Sequence, residues 1–131
     1  MDKPPEATRI LIVDDEPEAR QVLVEVLGTA GYTPQEAASG SGALARAREE
    51  PPDLILLDVG LFQVDWLEVC RHLKGDPRTA HARILVISGL QDEELKARAV
   101  AVGADGYLTK PVAPGTLLAR VRGLLRTGGA P

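Results

Sequence analysis

The sequence predicts an α/β fold, a five-stranded parallel sheet wound with helices on both faces, and three observations predict it. Short apolar runs alternate with helical patterns from one end of the 131-residue chain to the other. Two of the runs, Leu54 to Leu57 and Ile84 to Ile87, are apolar without alternation, as in strands covered on both faces. Strands and helices taking turns along the chain imply crossover connections, and these join parallel neighbours.

Ile10-Leu11-Ile12-Val13 is the first strand, β-branched and ended abruptly by Asp14-Asp15-Glu16-Pro17. The helix that follows places Ala19, Val22, Leu23, Val26 and Leu27 on its apolar face, with Gly28 and Gly31 to close it. Tyr32 to Ala38 reads as a weaker strand. Pro34 cannot donate to a ladder, which puts this strand at a sheet edge. Ser41 to Glu50 is a short, alanine-rich helix stopped by Pro51-Pro52. The third strand, Asp53 to Leu57, leads straight into Asp58. Trp66, Leu67, Cys70 and Leu73 form a third helical stripe, and a polar stretch from Lys74 to Ala82 leads to the fourth strand, which ends in Ser88-Gly89. Asp92 to Val102 is a helix capped by Asp92, with Leu95, Ala99 and Val102 inward. Gly103 ends it. Tyr107-Leu108 is a fifth strand running into Thr109-Lys110-Pro111, and the last helix carries Leu117, Leu118, Val121, Leu124 and Leu125.

Composition excludes several classes. Apolar residues make up 44% and charged residues 26%, and the net charge of −4 comes with basic residues spread along the chain, which argues against a nucleic-acid surface. No run approaches a membrane span, and Met1 to Thr8 lacks the order of a secretory signal, so a reduced, cytoplasmic setting is expected. The single Cys70 reads as core packing. His72 and His81 have no partner at ligand spacing, so both are expected in solvent and no zinc site is expected.

Polar groups recur at the carboxyl ends of the strands: Asp14 and Asp15 after the first, Asp58 after the third, Ser88 after the fourth, Lys110 after the fifth. That edge is where open α/β sheets bind ligands. With the order 2-1-3-4-5, strands one and three are neighbours and the aspartates share one crevice. Crowded carboxylates raise one another's pKa unless a cation joins them. Mg²⁺ suits such oxygen ligands, and Lys110 and the Ser88 hydroxyl suit phosphoryl oxygens. Each motif alone has a structural reading: Asp14-Asp15-Glu16-Pro17 as a helix start, Asp58 as a turn, Lys110 as a solvated lysine, Tyr107 as strand packing. Their convergence on one edge is what favours a phosphoryl-transfer site.

Val13-Asp14-Asp15-Glu16-Pro17, Asp53-Leu54-Ile55-Leu56-Leu57-Asp58, Val86-Ile87-Ser88-Gly89 and Gly103 to Pro111 together resemble the successive signatures of bacterial response-regulator receiver domains of the CheY-like, flavodoxin-like superfamily. The resemblance spans roughly residues 8 to 126. It implies a phosphoacceptor at Asp58. It further implies Mg²⁺ held by Asp14, Asp15, Asp58 and the Gly60 backbone carbonyl, a switch hydroxyl at Ser88 with the switch aromatic Tyr107, a phosphate-binding Lys110, and a cis bond before Pro111. The partner implied is a histidine kinase or histidine phosphotransfer protein. An unknown output protein or domain would follow, with no nucleic acid bound by this chain, no membrane contact, and room for a phosphorylation-dependent dimer. The protein would be a switch and not an enzyme, although it assists its own phosphorylation. The organisation expected is an N-terminal arm over 1–8, a receiver domain over 9–126, and a flexible tail or linker stump over 127–131. Phe62 and Trp66 stand where the family usually has proline and glycine, and Gly89 where alanine is frequent. Gly89 keeps access to the site open, whereas Phe62 and Trp66 keep a second expectation open, a degenerate receiver acting as an unphosphorylated interaction module. A hydrolase or flavin protein of the same topology is a third, but no glycine-rich phosphate loop follows the first strand.

Overall fold

The computed structural model describes residues 3–59, 66–89 and 93–127. In chain order the elements are β1 (Ile10–Val13), α1 (Pro17–Thr29), β2 (Gln35–Ala37), α2 (Gly40–Glu49), β3 (Leu54–Val59), α3 (Trp66–Gly75), β4 (Arg83–Ser88), α4 (Glu93–Ala101), β5 (Gly106–Thr109) and α5 (Pro114–Thr127). A single 3₁₀ turn, Pro5–Ala7, precedes them. All four strand pairings are parallel and the order is β2-β1-β3-β4-β5, as the sequence predicts.

The pleat sends alternate residues to opposite faces. Leu11, Val13, Ile55, Leu57, Ile84 and Val86 meet α2, α3 and α4, while Ile10, Ile12, Leu54, Leu56, Leu85 and Ile87 meet α1 and α5. The two unalternating runs are therefore strands with a core on each side, and every residue of β3 is buried. At about 25 cal/mol per Å² of apolar surface removed from water, such doubly covered strands dominate the stability.

Local chemistry sets the ends of the elements. β2 begins just after Pro34 and lies at the sheet edge. Gly31 (φ +92°) and Gly103 (φ +103°) supply the left-handed turns after α1 and α4. Ser39, outside the expected helix, caps α2: its Oγ accepts from the Gly42 amide at 3.0 Å. Gly40 lets α2 approach α3, since a Cβ there would stand 2.8 Å from Val69 Cγ2. The cap expected from Asp92 falls outside the described residues. Val22 was expected on the inward face of α1 but is 58% exposed, and the buried positions are Leu23 and Leu27.

At the amino edge of the sheet, Asp105 ties three elements together. It accepts from the Ile84 amide at 2.9 Å and pairs with Lys74 Nζ at 3.1 Å and Arg83 at 3.0 Å. Burial alone would raise its pKa, but the amide and the two cations outweigh that and hold the carboxyl below its ordinary value. A depressed carboxylate stabilises the fold above its unfolded pKa, and that contribution is lost as pH falls through the folded value. Asp105→Asn is expected to cost about 1–2 kcal/mol at neutral pH and to flatten the loss of stability below about pH 4. Urea titrations of both proteins across that range check this; a variant with an unaltered acid limb refutes it.

Candidate functional site

The strand register places the polar groups on one edge. Val13 pairs with Leu57, so Asp14 and Asp58 lie one residue beyond the same row of the sheet. Asp58 pairs with Ile87 and Val59 with Ser88, and Ser88 pairs in turn with Thr109, the residue before Lys110. The Lys110 amide donates to the Ser88 carbonyl at 2.8 Å, and the Lys110–Pro111 bond is cis.

Asp58 is buried at 6% exposure, and Lys110 Nζ reaches its Oδ2 at 2.8 Å. Burial pushes the Asp58 carboxyl up to about 7; hydrogen bonding to Lys110 opposes this, and the neighbouring Asp14 adds to it. Asp14 is itself buried. Its Oδ1 accepts from the Glu16 amide at 2.9 Å, while its Oδ2 is buried with no hydrogen-bond partner. Asp15, next in the chain, is exposed. Neither aspartate is the residue preceding α1, a place taken by Glu16 with Pro17 opening the helix.

Ser88 is buried at 1% exposure, and Tyr107 is half-buried against the α2–α3–α4 core. The structure thus brings Asp14, Asp58 and Lys110 together, with Ser88 on the adjoining strand end and Tyr107 three residues before Lys110. Gly60 and Phe62 lie outside the described residues. Trp66 is buried with Val59 and Val69 in the core. Arg20 escaped the sequence reading. Its guanidinium donates to the Asp14 carbonyl at 2.7 Å and to Glu36 at 2.8 Å, fixing the backbone that carries the acidic pair. The signal available was a lone cation in the first turns of α1. Cys70 is fully buried and its thiol is pushed up to about 12, so it is inert, and His72 and His81 are exposed as expected.

Among the described residues, no cluster of three or more His, Cys, Asp or Glu side chains is set to hold a metal. Mg²⁺ does not require one. It takes one or two carboxylates and fills its octahedron with water and phosphate oxygens. A buried carboxylate oxygen without a partner, beside a second carboxyl whose ionisation is suppressed, marks a deficit of positive charge. A small hard dication fits that deficit. No helix among the described residues is long and apolar enough to cross a membrane.

The response regulator receiver domain family matches residues 10–122. The chain is 43% identical over 118 residues to the DNA-binding dual master transcriptional regulator RpaA of Synechocystis, covering 90% of this chain and 49% of that protein. It is 40% identical over 120 residues to the phosphate regulon transcriptional regulatory protein PhoB of Pseudomonas aeruginosa, covering 92% and 52%. The chain therefore spans about half the length of these curated relatives. Among solved structures, the chemotaxis protein CheY4 of Vibrio cholerae superposes with a TM-score of 0.84 at 32% identity, covering 91% of this chain and 99% of that one. The signal receiver domain of a signal transduction histidine kinase from Syntrophus aciditrophicus gives 0.84 at 31% identity, covering 95% of each chain.

Proposed function

The chain belongs to the response regulator receiver domain family of two-component systems, and on that premise we propose that it is a phosphoacceptor switch modified on Asp58. The observation that carries the proposal is the 2.8 Å pair between Lys110 Nζ and Asp58 Oδ2, set beside the buried, unpartnered Oδ2 of Asp14. Phosphoryl transfer depends mainly on positioning and on neutralising charge, and this crevice supplies both.

The donor is a phosphohistidine of a histidine kinase or a histidine phosphotransfer protein. A carboxylate oxygen of Asp58 forms a bond to phosphorus as the phosphorus–nitrogen bond breaks, and the imidazole departs, leaving an acyl phosphate. Asp14, Asp15 and Asp58, with the Gly60 carbonyl, would hold Mg²⁺ directly or through its waters. When bound, the ion offsets the crowded negative charge and keeps Asp58 ionised and nucleophilic. Lys110 holds a phosphoryl oxygen with a compact charge. Ser88 donates its hydroxyl to another oxygen, and Tyr107 moves toward the space it leaves. The surface formed by α4, β5 and α5 is then biased between two packings, and an output protein or domain reads the result. The switch unit extends over residues 9–126, with 1–8 as an arm and 127–131 as a tail.

Intact-mass spectrometry after incubation with Mg²⁺ and acetyl phosphate tests this. The parent is expected to gain one labile phosphoryl group, and Asp58→Ala none. An adduct on the variant moves the acceptor elsewhere. A parent that stays unmodified with Mg²⁺ present leaves the interaction-module reading in its place.

A further inference from the structure

We propose that Arg20 is a positioning residue for the cation site: it holds the Asp14–Asp15 peptide so that one oxygen of Asp14 is left to Mg²⁺, and Glu36 both aims its guanidinium and cancels its charge there. The inference rests on the reading of Asp14, Asp15 and Asp58 as the cation's ligands.

Every polar atom of Asp14 but one is held by the protein. Its amide donates to the Ala37 carbonyl at 3.0 Å, continuing the ladder from β1 to β2. Its Oδ1 accepts from the Glu16 amide at 2.9 Å. Its carbonyl lies on the same side of the strand as its amide, where β2 ends at Ala37. Arg20 fills the place of the next rung, donating to that carbonyl at 2.7 Å. Oδ2 alone is left, buried and without a partner. The carbonyl belongs to the peptide that joins Asp14 to Asp15. A side chain from α1 therefore sets the plane of that peptide, and with it the direction in which Asp15 leaves the strand. Bound only to water, the peptide could turn, and the Glu16 amide that holds Oδ1 would turn with it.

Arginine suits this place because it must satisfy two acceptors on different elements. Nη1 reaches the Asp14 carbonyl while Nε reaches Glu36 on β2 at 2.8 Å, a pairing that a planar fork makes and an ammonium does not. The Arg20 amide donates to the Glu16 carbonyl at 2.9 Å, so the side chain starts from the first turn after the acidic pair. A guanidinium this close to Asp14 repels a dication by charge alone, and the Glu36 carboxylate offsets that repulsion. Positioning and charge thus act on cation affinity in opposite directions, which makes the sign of the effect diagnostic.

Amide chemical shifts recorded while the protein is titrated with Mg²⁺ give the dissociation constant, and amide exchange in chelator reports the same backbone without metal. Arg20→Met is expected to raise the constant about tenfold, and Arg20→Gln, with a shorter side chain, to move it the same way. The dispersion of the core amides shows whether each variant is folded. In chelator the Glu16 amide of both variants is expected to exchange several-fold faster than in the parent. Glu36→Gln is expected to raise the constant in the parent and to add little in the Arg20→Met background. A constant that is unchanged or lower in the two Arg20 variants overturns the proposal, since loss of a nearby positive charge by itself tightens binding. So does Glu16 exchange at the parent's rate, or a Glu36→Gln effect undiminished in the double variant. In each of those cases the parent still binds Mg²⁺. A parent whose amides do not respond to Mg²⁺ at all overturns the reading of the cation site, and this inference with it.

Discussion

Asp58→Asn is expected to melt higher than the parent in metal-free buffer near pH 8, although it loses the phosphoryl adduct altogether. A carboxyl raised to about 7 in the folded protein binds its proton more tightly there than in the unfolded chain. Stability from that group is fully present below the unfolded pKa and is lost as pH rises through the folded value. Above that value the fold carries a buried charge next to Asp14, and Lys110 offsets it only in part. Asparagine keeps the shape and removes the charge. The gain is on the order of 2–3 kcal/mol, or several degrees in Tm for a domain of this size. Mg²⁺ should raise the Tm of the parent by mass action and that of the variant much less. Thermal melts with chelator and with Mg²⁺, at about pH 5 and pH 8, separate the effects, because the variant's advantage should shrink at the lower pH. A variant that melts below the parent at pH 8 would mean that the Lys110 pair dominates over burial.

Leu56→Ala is expected to carry the largest stability cost, about 3–4 kcal/mol. Leu56 is fully buried in β3, between Ile12 on β1 and Leu85 on β4, with its side chain in the α1–α5 core. The central strand cannot shift to close the cavity, because its ladder is pinned on both sides. Chemical denaturation of the two proteins should show a lower midpoint with an unchanged slope. A cost below about 1 kcal/mol would mean that α1 and α5 collapse into the space left. In neither protein should the acceptor chemistry at Asp58 be lost while the fold holds.

The sheet was legible because its strands are covered twice. A run such as Leu54 to Leu57 admits few other readings, and Pro34 marked β2 as an edge. α1 was harder. Val22, Leu23, Val24, Val26 and Leu27 give two overlapping apolar stripes of nearly equal weight, and only the packed sheet selects the one centred on Leu23 and Leu27. The carboxyl-edge positions of Asp14, Asp58, Ser88 and Lys110 followed from the strand ends. The unpartnered Oδ2 of Asp14 and the grip of Arg20 on the Asp14 carbonyl did not, since both depend on which atoms meet. Ser39 was missed as a cap for a different reason: the glycines after it weaken the helical pattern at the position where the helix begins.

The order of the strands also bears on how the molecule assembles in time. The central pairing of Ile10 with Leu54 joins residues 44 apart, so a long loop must close before β3 can take its place beside β1. During synthesis the acidic pair and Asp58 leave the ribosome well before β5, which stands at the far edge and delivers Lys110. A nascent chain halted ahead of β5 would hold its crowded aspartates without their lysine. The crevice at the carboxyl edge is thus complete only once the far edge strand is in place.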